Sequence, residues 1–230
     1  MQFLERSILG LRSAKHVLKS HEHAAEVTLF PMVHVGEASF YEGVTADLLQ
    51  MDIVLLEGIR SPTTRALTRV YRWLPLRRLG LVVQPQIGPT LEKAGIKVVH
   101  ADMKPEDFEA AWAGVPRSLK VWVPIAVTLV ALWLRLTGTR AKLAKRMNTT
   151  DVPSRERVLS AGGVLDPMDA LISDQRDTIL IAALRSVLGS NAQRPVRIGI
   201  VYGAAHMPAV VRALPDFAPT ESSWMTVFPM

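Results

Sequence analysis

Short runs that are apolar at every position alternate along this chain with longer stretches whose apolar residues recur at helical spacing. Glu26 to Val33 reads as a strand. The turn at Gly36 then leads into a helix through Leu49, with Phe40, Val44 and Leu48 on one face. Ile53 to Glu57 is apolar on both faces, as expected of a central parallel strand covered by helices. Lys97 to Ala101, Arg197 to Tyr202 and a late edge strand, Trp224 to Phe228, complete the predicted strands. Helices fill the gaps, among them Asp169 to Val187, with Leu171, Ile172, Ile179 and Leu180 as its apolar face. That alternation predicts an α/β fold: a central, mostly parallel sheet flanked by helices.

The middle of the chain breaks the pattern. Val121 to Leu134 carries no charge, is flanked by Lys120 and Arg135, and has Trp122 and Trp133 near its edges, as in an interfacial aromatic belt. At ~1.5 Å per residue it spans about 21 Å, short of the ~30 Å hydrocarbon layer of a bilayer. We therefore expect a helix that dips into one leaflet or covers the site as a lid, with a buried core helix and a true span as the alternatives. The whole chain, 1–230, reads as one domain in which 115–150 is a hydrophobic and basic helical insertion. Thr64 to Leu79 predicts a further helix with Arg65, Arg69 and Arg72 on one face, which suits anionic lipid.

Composition narrows the classes. With 230 residues, 49% of them hydrophobic, the chain can bury one substantial core. The absence of cysteine removes disulfides, thiolate nucleophiles and zinc–thiolate sites, so any metal must be held by His, Asp or Glu. The opening Met-Gln-Phe-Leu-Glu-Arg lacks the plan of a signal peptide, and a cytoplasmic, membrane-associated location is expected. The net charge of +6 is unevenly spread: no acid lies between Glu57 and Glu92 or between Glu109 and Asp151. Such fields attract phosphates or form a solvated basic face. The chain has no nucleic-acid-binding motif, so an anionic membrane surface is the expected partner, with a homo-oligomer left open.

Candidate chemistry gathers at the predicted strand ends. In a parallel sheet, ligand sites lie beyond the carboxyl ends of the strands. His34 ends the first strand and can be a base, a ligand or a loop-bonded imidazole. Glu57 ends the second, where a carboxylate has to be paired, protonated or metal-bound, because burying it alone costs several kcal/mol. Arg60 can pair with it, or recognise a carboxylate or an oxyanion. Tyr202 closes the Arg197 strand, and His206 follows in Gly203-Ala-Ala-His206, where small residues let a ligand approach the backbone. Glu37 is a candidate support for His34 or a simple first-turn acid. Arg176 and Asp177 sit on the late helix, able to reach the site or to pair internally. His21-Glu-His23 reads as a solvated linker, and Ala161-Gly-Gly-Val lacks the lysine and spacing of a phosphate loop.

Taken together, His34-Val-Gly-Glu37, Asp52-Ile-Val-Leu-Leu-Glu57-Gly-Ile-Arg60, Asp174-Gln-Arg176-Asp177 and Gly203-Ala-Ala-His206 resemble the TraB/PrgY and Tiki group, related to the erythromycin esterases. The signature of that group, a pair of Gly-x-x-His motifs with a glutamate and an arginine, maps onto His34, Glu57, Arg60 and His206. Pro31 stands where the group has glycine, and Leu81 to Asp102 matches weakly, with Asp102 as its one carry-over. The resemblance implies a hydrolase of a peptide or ester bond. Two mechanisms follow from it. In one, His34, Glu57 and His206 hold a divalent ion that activates water, with Arg60 at the oxyanion; in the other, His34 is a metal-free general base oriented by Glu57. The rival expectations are a non-catalytic regulator that binds a peptide or lipid-derived signal, and an iron or haem carrier on a related fold.

Overall fold

A computed structural model describes residues 1–147 and 174–230. The chain opens with β1 (Leu4–Ser7) and β2 (Gly10–Ser20), followed by β3 (Glu26–Met32), β4 (Val35–Gly36), α1 (Ala38–Leu48) and β5 (Ile53–Leu56). Next come α2 (Pro62–Thr68), a 3-10 turn (Arg69–Trp73), α3 (Leu76–Leu79), β6 (Val82–Val83), α4 (Gly88–Lys93) and β7 (Lys97–His100). Then α5 (Pro105–Gly114), α6 (Arg117–Thr137) and α7 (Arg140–Met147) follow one another. The last part holds α8 (Gln175–Ser190), β8 (Arg197–Gly203), a 3-10 turn (Ala204–His206), α9 (Met207–Arg212) and β9 (Phe217–Phe228).

The architecture is mixed α/β around one main sheet. Strands β3, β8, β5 and β7 run parallel in that order, with β8 pairing β3 on one side and β5 on the other. In β3, β5 and β8 almost every side chain is buried, which requires cover on both faces. Helix α1 supplies Phe40, Tyr41, Val44 and Leu48, and α8 supplies Leu180, Leu184, Val187 and Leu188. Both sets recur every three or four residues, so each helix turns one stripe to the sheet.

Beyond β3 the sheet becomes antiparallel. One edge of β2 carries β1 and β3 end to end, and the other carries the long strand β9. The sequence pattern predicted no strand before Glu26 and only the last residues of β9. Polar residues hide the alternation. Ser13 and His16 are buried in β2 because the Ser13 hydroxyl donates to Pro31 O (2.6 Å), while His16 bonds Ser222 Oγ (2.7 Å) and Gln2 O (2.8 Å). Most of β9 is exposed, so it offers no apolar stripe to read.

The expected helix from Thr64 to Leu79 is broken. Pro75 forces Leu74 into an extended conformation (ψ 148°), and the stretch splits into α2, a 3-10 turn and α3. The early part of the expected helix from Asp169, with Leu171 and Ile172, and the Ala161-Gly-Gly stretch lie outside the described residues.

Among the described residues, one helix, α6, is long and apolar enough to cross a membrane, and only 11% of its most apolar window is buried. Ala131 and Leu134 are buried in the domain, while Val121, Trp122, Ile125, Leu129, Leu132 and Leu136 face outward. A fully buried Val, Leu or Ile is worth ~1.5–3 kcal/mol over an exposed one. That outer face therefore forgoes much of the stabilisation its composition offers, and a buried core helix does not describe it.

Candidate active site

Beyond the C-terminal ends of β5, β7 and β8, three acids, one arginine and one histidine form two linked clusters. Glu57 extends β5, its N–H donating to Val201 O at 3.0 Å. Its Oε1 accepts from Arg176 Nη2 at 2.5 Å and its Oε2 from the Gly203 N–H. Asp102, just past β7, has a side chain only 1% exposed and accepts four hydrogen bonds, each of 2.8 Å. Two come from the Nε and Nη2 of Arg176, one from the Gly58 N–H and one from the Met103 N–H. Gly58 reaches Asp102 with φ at +151°, a backbone state that side-chain-bearing residues rarely adopt.

One guanidinium thus pairs with two carboxylates, the part-buried Glu57 and the buried Asp102, gripping Asp102 in the two-pronged geometry that favours arginine over lysine. Burial opposes the charge on Arg176. The hydrogen bond to Asp102 and the charges of Glu57 and Asp102 outweigh that opposition and hold it protonated more firmly than a free arginine.

The next residue on α8 serves the second cluster. Asp177 Oδ1 lies 2.6 Å from Nδ1 of His206, whose side chain is 7% exposed. With Nδ1–H donating to the carboxylate, a neutral ring keeps its lone pair on Nε2. The clusters meet at Gly203: a Cβ there would stand 3.3 Å from Glu57 Oε2, a tight contact, and 3.5 Å from His206 Cδ2, an ordinary one. Tyr202 packs edge-on against His206, ring centres 4.9 Å apart, and lies under the Arg176 guanidinium at 5.4 Å.

Among the described residues, the buried Tyr202 hydroxyl has no hydrogen-bond partner. Burial raises its pKa, the charges of Asp102 and Glu57 add to that, and Arg176 opposes it. Burial likewise raises Tyr41 and Tyr71, with the charge of Glu57 adding to the effect at Tyr71. These are the three tyrosines of the chain. Unfolded tyrosines ionise near pH 10, so the stability held by the neutral folded phenols is complete below that pH and is lost as the pH climbs towards the folded values. An alkaline titration followed by tyrosinate absorbance should show Tyr41 and Tyr202 silent near pH 10 in the folded protein, so that at most one of the three phenols ionises there. The other two should ionise together with loss of helical circular dichroism, and two phenols titrating near pH 10 in folded protein would contradict this packing.

The residues expected from sequence divide. Glu57, His206, Asp102, Arg176, Asp177 and Tyr202 come together. His34 is exposed, its ring 5.9 Å from that of Tyr71, so it stands at the rim. Arg60 is not the partner of Glu57: beyond the Gly58 turn it is exposed and ion-paired with no acid among the described residues. Arg176 takes that place from α8. Glu37 supports Arg140 (2.8 Å) instead of His34. His21 and Glu22 are exposed in the link between β2 and β3, as the linker reading expects, while His23 stacks on Phe217, ring centres 5.5 Å apart.

Tyr71 was missed, since helical period assigned it to a lipid-facing segment. Its proximity to both His34 and Glu57 is tertiary and leaves no mark in sequence spacing. Among the described residues, no group of three His, Asp or Glu side chains has metal-holding geometry. Arg176 and the Gly203 N–H already occupy one site on each oxygen of Glu57.

The fold and the site define a mixed α/β protein with an Asp-supported histidine beside an arginine-clamped glutamate at the carboxyl end of its parallel strands. Compared with known proteins, the chain matches no family model, no curated protein and no solved structure.

Proposed function

We propose that the chain is a hydrolase of a peptide or ester bond, in which His206 moves the proton. The observation that carries this reading is the 2.6 Å contact between Asp177 and His206 Nδ1, made next to the Glu57 carboxylate. That contact frees Nε2 to take a proton from water as the water oxygen bonds to the substrate carbonyl carbon. The same nitrogen then returns the proton to the departing amine or alcohol as the C–N or C–O bond breaks. Glu57, fixed by Arg176 and by the Gly203 N–H, orients the water, and the exposed Arg60 stabilises the oxyanion. The resemblance to the TraB/PrgY and Tiki group supports the same class, with the fold of that group and α6 as its insertion. A cytoplasmic location fits the cysteine-free composition.

One observation favours a second reading, with an ion at His206. A metal-bound imidazole is commonly steadied by a carboxylate on its other nitrogen, as Asp177 steadies His206. Among the described residues, His34, Glu57 and His206 do not form a ready ligand set, so an ion would have to draw them together.

The test is hydrolysis of peptide and ester pools by the intact protein, with and without a chelator, beside His206→Ala and Glu57→Gln. Turnover should vanish in His206→Ala and survive the chelator. Equal turnover in all three proteins would end the reading, and loss on chelation restored by a divalent ion would establish the second.

A further inference from the structure

Residues of the 3-10 turn at Arg69–Trp73 and of α3, with Arg135 of α6, line an open cleft of about 730 Å³ whose basic side chains are Arg72, Arg77, Arg78 and Arg135. All four are exposed, and none makes an ion pair with an acid among the described residues. Arg78 also donates to Gly138 O (2.9 Å), which fixes one guanidinium at the base of α6. Leu74, Leu76 and Val83 complete the walls, so the cleft is basic with apolar sides. Arg135 joins it to α6, the helix that turns Trp122 (65% exposed) and Leu129 (62% exposed) outward.

From this juxtaposition we infer that the cleft binds the phosphate headgroup of an anionic phospholipid while α6 lies in the plane of the bilayer surface. Three arguments select this occupant. A helix with one face on its protein and an apolar, tryptophan-bearing face outward is built to sink part-way into one leaflet, and basic neighbours draw it to anionic lipid. A second copy meeting this face about a two-fold axis would set the basic cleft against its equal, and like charges repel. A single span fails because both ends of α6 are tied to one body. Val115, before it, is buried, and so are Leu143 and Ala144 in α7, after it. Arg140 Nε also bonds Leu79 O at 2.9 Å. The inference uses residues outside the proposed proton-transfer site, so the two readings fail separately.

The experiment is flotation of the intact protein with phosphatidylcholine vesicles and with phosphatidylcholine–phosphatidylglycerol vesicles, with sodium phosphate and sodium chloride as competitors at equal ionic strength. Binding should need phosphatidylglycerol and should shift tryptophan emission to the blue. An attraction of ~1 kcal/mol per arginine near such a surface corresponds to about a fivefold loss of affinity per residue. Arg77→Ala with Arg135→Ala should therefore weaken binding by on the order of twentyfold. Arg194→Ala with Arg212→Ala, which removes equal charge from exposed positions outside the cleft, should weaken it far less. Leu129→Gln should reduce binding with no change in the anionic-lipid requirement.

Equal binding to both vesicle types, no binding to either, or equal losses in the two arginine pairs would overturn the inference. So would a stable dimer that hides Trp122, or displacement by phosphate with no bilayer insertion, which would make the cleft a site for a soluble anion.

Discussion

Replacing Arg176 by methionine should cost about 3–5 kcal/mol of stability, the range for breaking a buried ion pair from one side. The size follows from what remains. Asp102 would keep its Gly58 and Met103 N–H donors but lose both hydrogen bonds and the countercharge of the guanidinium. Glu57 would face it with only the Gly203 N–H. Urea denaturation measures the loss. A second change separates charge from packing: Glu57→Gln in the Arg176→Met background should recover part of it. Glutamine can still accept from Gly203 N–H while its amide nitrogen turns towards Asp102. A loss below about 1 kcal/mol, or no recovery from the second change, would show that the network is not held by charge.

Replacing Asp177 by asparagine should lower turnover by about a hundredfold to ten-thousandfold with little effect on stability. On the proposed mechanism Asp177 is a positioning residue. Its acceptor-only carboxylate imposes one tautomer on His206, whereas an amide can present its nitrogen to Nδ1 and move the ring proton to Nε2, where the base has to be. The loss should therefore fall on kcat with KM little changed, and nitrogen NMR of the imidazole should show the changed tautomer. Recovery of turnover by added divalent ion would favour the second reading. Unchanged kcat would remove the His206–Asp177 pair from the chemistry.

Sequence made the parallel half of the sheet legible because β3, β5 and β8 bury both faces, and such strands are apolar throughout. It also marked Glu57 correctly as an acid in need of a cation. The choice between cations was not available. Arg60 is three residues away and Arg176 is 119 away, and chain proximity favours the wrong one. Nothing local reports that α8 turns successive residues to two clusters, Arg176 to Asp102 and Asp177 to His206. The antiparallel half was illegible for another reason. Ser13 and His16 count as polar in any pattern, yet each is buried with its bonds satisfied.

Strand β8 is inserted between β3 and β5, which do not pair with each other. While residues 1–196 emerge from the ribosome, the central sheet is two separate pieces, each presenting an unpaired edge. Closure waits for a segment near the far end of the chain, and such long-range pairing is slow and prone to aggregation. The same late segment ends in Gly203 and leads to His206. A chain truncated before this segment would therefore leave β3 and β5 unpaired on their inner edges and, on the proposed mechanism, would lack the histidine that moves the proton.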